Sequence, residues 1–260
     1  MELSARLAEL DSELRSFECR PRTLVPDLVM LALGTDVFES AVAVQDTARS
    51  ALPHKGYANA RLAFEGAQNL LVLTTHEEYE AAGALAWVYF GSKDANWRAS
   101  AEERKNPAGP HLTEGQWLEQ RISQIANVWD SNAKGKGRLL LDALARVRRE
   151  RKKRPDNWLH ENMAARQHRA YTVFAASGAG RSLAATAELN EQIYHALCRA
   201  THARPRFDSF GIICDQARGI IRVDVLPRNF DQARYAVTTC TTLSVREAAA
   251  ALRWQRTGTV

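Results

Sequence analysis

Two kinds of grouping in this 260-residue chain could do chemistry: cations clustered where an anion could dock, and charges set among apolar neighbours. The densest cluster is Arg146-Val-Arg-Arg-Glu-Arg-Lys-Lys-Arg154. Cations near a helix C-terminus interact favourably with the helix dipole, so a solvated helix end accounts for part of it. At this density the run also reads as a contact to the phosphates of RNA or DNA, or to an acidic protein. Arg149, Lys152 and Lys153 are its candidate anion-binding residues. Two glycine loops, Lys134-Gly-Lys-Gly-Arg138 and Ser177-Gly-Ala-Gly-Arg-Ser182, each stand before an expected helix. Backbone N–H groups, a positive helix end and a nearby cation together suit an anion, which nominates Lys134, Lys136, Arg138 and Arg181. An ordinary helix–helix turn is the alternative for each loop. The second loop is not a nucleotide-binding P-loop, because Ala175 stands where its first Gly belongs and Arg181 where its Lys belongs.

Arg61 and Glu65, in Arg61-Leu-Ala-Phe-Glu65, are four residues apart and share one face of a mostly apolar helix. Charges buried there must pair. The expectation is a structural ion pair, mostly buried, rather than a catalytic one.

Other chemistry is excluded by pattern. There is no Glu-x-x-His, His-Glu-x-x-His, Gly-x-Ser-x-Gly or Gly-x-Gly-x-x-Gly. Cys19, Cys198, Cys214 and Cys240 form no Cys-x-x-Cys pair. We therefore expect no metal and no cofactor, and reduced thiols in a cytoplasmic protein. The N-terminus is charged and lacks the pattern of a signal peptide. No apolar stretch approaches the ~20 residues that span a bilayer, so no membrane partner is expected. The 35 basic and 30 acidic residues give a net charge of +5, with a pI near 9.2. That balance permits an anionic partner without demanding one.

The elements that must position these residues are mostly helices. Leu3, Leu7, Leu10 and Leu14 make a narrow apolar stripe on an N-terminal helix, one that suits a partner as well as its own domain. Pro26 suits the first turn of a helix running toward Leu52, and residues 57–74 form the next. Thr75-x-x-Glu78, Thr113-x-x-Gln116 and Ser244-x-x-Glu247 are capping-box patterns that should open helices. Residues 91–112, with two Gly and two Pro, read as the longest loop. Helices are also expected over 139–147, 157–176 and onward to about Ala203. Phe210-Gly-Ile-Ile-Cys and Ile-Ile-Arg-Val-Asp-Val, joined through Gly219, read as a β-hairpin. The threonines at 238, 239, 241 and 242 leave 228–242 ambiguous. The expected fold is mainly α, a multi-helix bundle with a small C-terminal β-hairpin. Its divisions are an amphipathic helix over 1–20, a bundle over 21–205, and a hairpin and helix over 206–260 packed on the bundle.

The Arg61-x-x-x-Glu65 helix, followed later by Tyr171-Thr-Val-Phe-Ala-Ala-Ser177, resembles uncharacterised bacterial helical families related to the HEPN (higher eukaryotes and prokaryotes nucleotide-binding) superfamily. Those families often continue from the Tyr and Ser to a His. This chain departs there, with Arg181 in its place. The likeness runs from about Leu28 to Leu197 in helix order and spacing. It implies a helical bundle, a role in bacterial defence or stress, and a homodimer. Many HEPN proteins are metal-independent ribonucleases with an Arg-x4–6-His motif, in which the His moves a proton and the Arg holds the phosphate. Arg49 with His54, and Arg154 with His160, fit its letter. Pro53 interrupts the first and Pro155 directly follows Arg154 in the second; the second also abuts the basic run, which makes Arg154 and His160 the catalytic candidates. The leading expectation is a helical binding protein for RNA or DNA. The alternatives are a HEPN-like ribonuclease and a small-molecule enzyme with an aromatic pocket between helices.

Overall fold

The computed structural model describes residues 2–48, 56–150, 158, 168, 170–173, 210–215, 217–225 and 229–258. These residues are mainly helical. Six helices lie within the described part of residues 2–150: α1 (Glu2–Ser16), α2 (Leu24–Ala48), α3 (Tyr57–Thr74), α4 (Tyr79–Lys105), α5 (Glu114–Asn132) and α6 (Gly137–Glu150). A long α7 (Asn229–Thr257) closes the chain. The backbone of Phe210–Asp215 pairs antiparallel with that of Ile220–Val225, and Gly219 in the turn takes φ 62°. Two compact units form, Met1–Ser16 with Leu33–Leu71 and Tyr171–Val260, and Phe17–Ala32 with Val72–Ala170.

In the first unit α1 packs on α7. Its stripe of Leu3, Leu7 and Leu10 is buried within its own unit, not held out for a partner. Gly34 of α2 keeps this junction tight, since a Cβ there would stand 2.8 Å from Leu14 and 3.3 Å from Leu252. Charges rim the contact. Arg253 donates to Glu13 at 2.8 Å and to Glu9 at 2.7 Å, and Arg256 donates to Glu13 at 2.9 Å. The threonine-rich stretch is helix after all. Thr241 and Ser244 donate their hydroxyls to the Val237 and Cys240 carbonyls one turn back, at 2.8 and 2.9 Å, so the groups that disfavour helix are absorbed by it. Ser244 is thus mid-helix and not an N-cap, and Glu247 points inward.

In the second unit Asp27 is completely buried in the first turn of α2. Its carboxylate accepts from the Arg20 backbone N–H (2.9 Å), the Thr23 hydroxyl (2.7 Å) and the Tyr79 hydroxyl (2.9 Å). The Arg20 guanidinium adds weaker contacts at 3.3 and 3.4 Å. Burial and the Asp27 charge push the Tyr79 phenol well above its ordinary pKa, so it stays a donor. Beside it, Gly83 has Pro26 so close that a Cβ would lie 2.2 Å from the proline Cβ. The Thr75-x-x-Glu78 box is not formed. His76 Nδ1 takes the Glu78 N–H at 3.1 Å, and α4 begins without a side-chain cap.

Helix α4 then runs to Lys105, through the expected loop, leaving 106–113 as the connection. Gly91 lies inside this helix, and a Cβ built on it would meet Leu118 only at an ordinary 3.7 Å, so packing there does not require glycine. The Thr113–Gln116 capping box is present at the start of α5. Helices α5 and α6 pack on α4 and on each other, through Leu118, Ile122, Ala126 and Trp129 of α5 and Leu140, Ala143, Leu144 and Val147 of α6. No helix among the described residues is long and apolar enough to cross a membrane.

Tyr79→Phe removes one donor from a fully buried carboxylate. It should lower stability by about 1–3 kcal/mol, read as a lower urea midpoint with an unchanged slope. A midpoint equal to wild type would show that Asp27 does not depend on that hydroxyl.

Candidate functional site

The expected site residues divide by where they fall. Lys152, Lys153, Arg154, His160 and Arg181 lie outside the described residues, as do Arg49 and His54. Arg61 and Glu65 do pair, with Nε donating to Oε1 at 2.7 Å, but their side chains keep 21% and 31% exposure. Both side chains are thus mostly, though not fully, buried, beside an α3 core face carried by Ala60, Ala63, Phe64 and Ala67. The neighbouring Leu62 faces water.

The first glycine loop is closed by the chain's own groups. Gly135 takes φ 84°, which only glycine adopts readily, and so turns the backbone between α5 and α6. The Gly137 N–H, first in α6, donates to Asp130 Oδ1 at 2.6 Å. A Cβ at Gly137 would meet that same carboxylate at 2.5 Å. Lys136 pairs with Glu80. A carboxylate already holds the positive end of α6, so this loop is a helix–helix turn. Lys134 and Arg138 remain exposed around it.

On α6 the geometry follows from packing. With Leu140, Ala143, Leu144 and Val147 turned inward, Arg138, Arg146, Arg148 and Arg149 must face water. Arg148 donates to Glu119 at 2.7 Å, Arg146 lies 3.5 Å from Glu150, and Arg138 lies 3.9 Å from Asp142. Among the described residues no carboxylate pairs with Arg149.

A cleft of about 390 Å³ runs between α4 and α5, lined in part by Asp94, Arg98, Glu102, Trp117, Arg121 and Gln124. Arg98 is held by Asp94 at 2.8 Å and lies 5.7 Å over the Trp117 ring. Arg121 lies 5.6 Å over Trp87. Trp117 is the aromatic residue of the lining, so the cleft is not an aromatic box. No group of three or more His, Cys, Asp or Glu among the described residues could hold a metal ion.

Sequence reasoning missed a buried polar cluster in the first unit. Gln68 Nε2 donates to Tyr171 Oη and to Glu247 Oε2, both at 2.9 Å, and Tyr171 donates to Glu247 Oε1 at 2.7 Å. All three side chains are buried. Gln68 and Glu247 are far apart in sequence, and Glu247 sat in a pattern that mimics a cap. The available signal was a polar residue at helical spacing within an apolar face: Gln68 follows Phe64 by four, and Glu247 follows Cys240 by seven. Burial and the Glu247 charge push the Cys240 thiol up to about 12. Gln68 Nε2 and the Tyr171 hydroxyl find acceptors within the cluster, Gln68 Oε1 is buried without a hydrogen-bond partner among the described residues, and the neighbouring thiol is held protonated, which suits positioning of helices more than proton transfer.

Comparison with protein-family models, with curated proteins and with solved structures found no match.

Two outcomes follow. Tyr171→Phe removes a donor from Glu247 and should lower stability by about 1–3 kcal/mol, more than Glu247→Gln, whose amide oxygen still accepts. Equal stability of Tyr171→Phe and wild type in a denaturant titration would remove the cluster's structural role. Cys240, raised to about 12, should resist iodoacetamide at pH 8 in the folded protein and react once unfolded, read by peptide mass spectrometry. Fast labelling of that peptide in the native state would contradict its burial.

Proposed function

We propose that this chain is a helical binding protein that contacts the phosphates of a nucleic acid through the outer face of α6. The observation that carries the reading is the packing of that helix. Its four buried apolar residues leave four arginines facing water, and the basic run continues in sequence through Arg151, Lys152, Lys153 and Arg154. The ion pairs these arginines make are solvent-exposed and each worth well under ~1 kcal/mol, so phosphate can replace the carboxylates at small cost. Arg149 needs no such exchange. An arginine also offers a planar fork of donors that matches phosphate oxygens.

The test is binding of labelled single-stranded and duplex oligonucleotides, followed by fluorescence anisotropy across a salt series. Affinity should fall steeply with salt, because cations that neutralise phosphates release condensed counterions. Arg149→Ala should weaken binding to every sequence and flatten the log–log salt slope by about one. Binding that is absent at low salt, or that ignores salt, would overturn the reading.

A further inference from the structure

Trp97 departs from the other described tryptophans. Trp129 and Trp158 are buried and Trp87, Trp117 and Trp254 are half-buried, whereas Trp97 is 64% exposed. Its surroundings on α4 keep the indole open. One turn onward stand Ser100 and Ala101, too small to cover it. One turn back stand Lys93 and Asp94. Asp94 is held by Arg98 at 2.8 Å, so its charge is already answered. The Lys93 ammonium lies 4.7 Å over the Tyr89 ring, which steadies it beside the tryptophan. Two turns onward Arg104 is exposed. At about 100° per residue, Lys93, Trp97 and Arg104 fall within roughly 60° of one another, while the exposed Glu103 sits about 120° from Trp97. The result is an uncovered aromatic face with a cation on either side of it along the helix.

We propose that the Lys93–Trp97–Arg104 stripe is a base-stacking site for single-stranded nucleic acid, a step that rests on the reading of the α6 face as a phosphate contact. An indole face stacks on any base, and flanking cations hold the phosphates on either side of that base. A duplex keeps its base faces stacked inside and cannot use such a platform. The two features therefore divide the work. The arginines of α6 act on phosphates of either form, and Trp97 adds affinity only where bases are unpaired. Both lie in the same compact unit, Phe17–Ala32 with Val72–Ala170.

The experiment compares wild type, Trp97→Phe and Trp97→Ala for binding to a labelled single-stranded RNA and to a duplex of the same sequence at one low salt concentration. Circular dichroism melting checks that folding is intact. Trp97→Ala should weaken single-strand binding roughly 5- to 150-fold and leave duplex binding unchanged. Trp97→Phe should fall between it and wild type. If Trp97→Ala binds the single strand as wild type does while Arg149→Ala binds both forms less well, the stacking site is wrong and the phosphate contact stands. Equal loss on both forms also overturns the stacking site. If wild type binds neither form, both proposals fall together.

Discussion

Asp27 is completely buried, and a carboxylate taken out of water persists only where the chain supplies enough donors. Its donors come from the segment before α2 and from the start of α4: the Arg20 N–H, the Thr23 hydroxyl and the Tyr79 hydroxyl. Satisfying one charge therefore fixes the first turn of α2 against the first turn of α4. Gly83 and Pro26 make the approach close enough, because no side chain stands between them. The rotation of α4 is then set, and α5 and α6 pack on it. Which residues of α4 and α6 meet water is a consequence of that arrangement, and so is every surface assigned a role above.

The first unit answers the same constraint differently. Glu247 is buried among Tyr171 and Gln68, with each carboxylate oxygen accepting a hydrogen bond. The pairs at the rim of the α1–α7 contact are partly exposed, and solvent screens them. The two classes of charge differ in what a mutation does. Removing a donor from Glu247 or Asp27 strands a charge in the interior. Removing Arg253 leaves Glu9, which is part-exposed, and Glu13, which is buried but keeps Arg256.

The sequence disclosed most of the helices and few of their ends. Periodicity located α1, α3, α5 and α6, since burying an apolar stripe fixes a helix face whatever its neighbours do. Ends were harder because capping patterns are short. Thr113–Gln116 is a working box, Glu78 gives no side-chain cap to α4, and Ser244–Glu247 faces a core. Glycine and threonine misled in the same way. Gly91 lies inside α4, and Thr241 bonds back to Val237 within α7, so the packed helices outweighed a propensity of about 1 kcal/mol or less. For the site, local pairing was legible and distant pairing was not. Arg61 and Glu65 are one turn apart and could be matched by spacing alone. Gln68, Tyr171 and Glu247 meet only after three separate segments have packed.

The distribution of paired and unpaired cations limits what a net charge of +5 can mean. Much of the basic character of the described residues is committed locally. Arg20 serves Asp27, Lys136 serves Glu80, Arg98 serves Asp94, and Arg253 and Arg256 serve Glu9 and Glu13. A diffuse positive field would leave these pairs no role in binding and would favour no particular face. What distinguishes the α4 and α6 surfaces is composition at fixed positions. Arg149 has no carboxylate partner among the described residues, and Lys93 and Arg104 flank an indole that the fold leaves uncovered. Cations alone would bind any polyanion, and an exposed tryptophan alone would suit any apolar partner. An anion whose charges alternate with flat apolar surfaces meets both requirements, and an unpaired nucleic-acid strand has that chemistry.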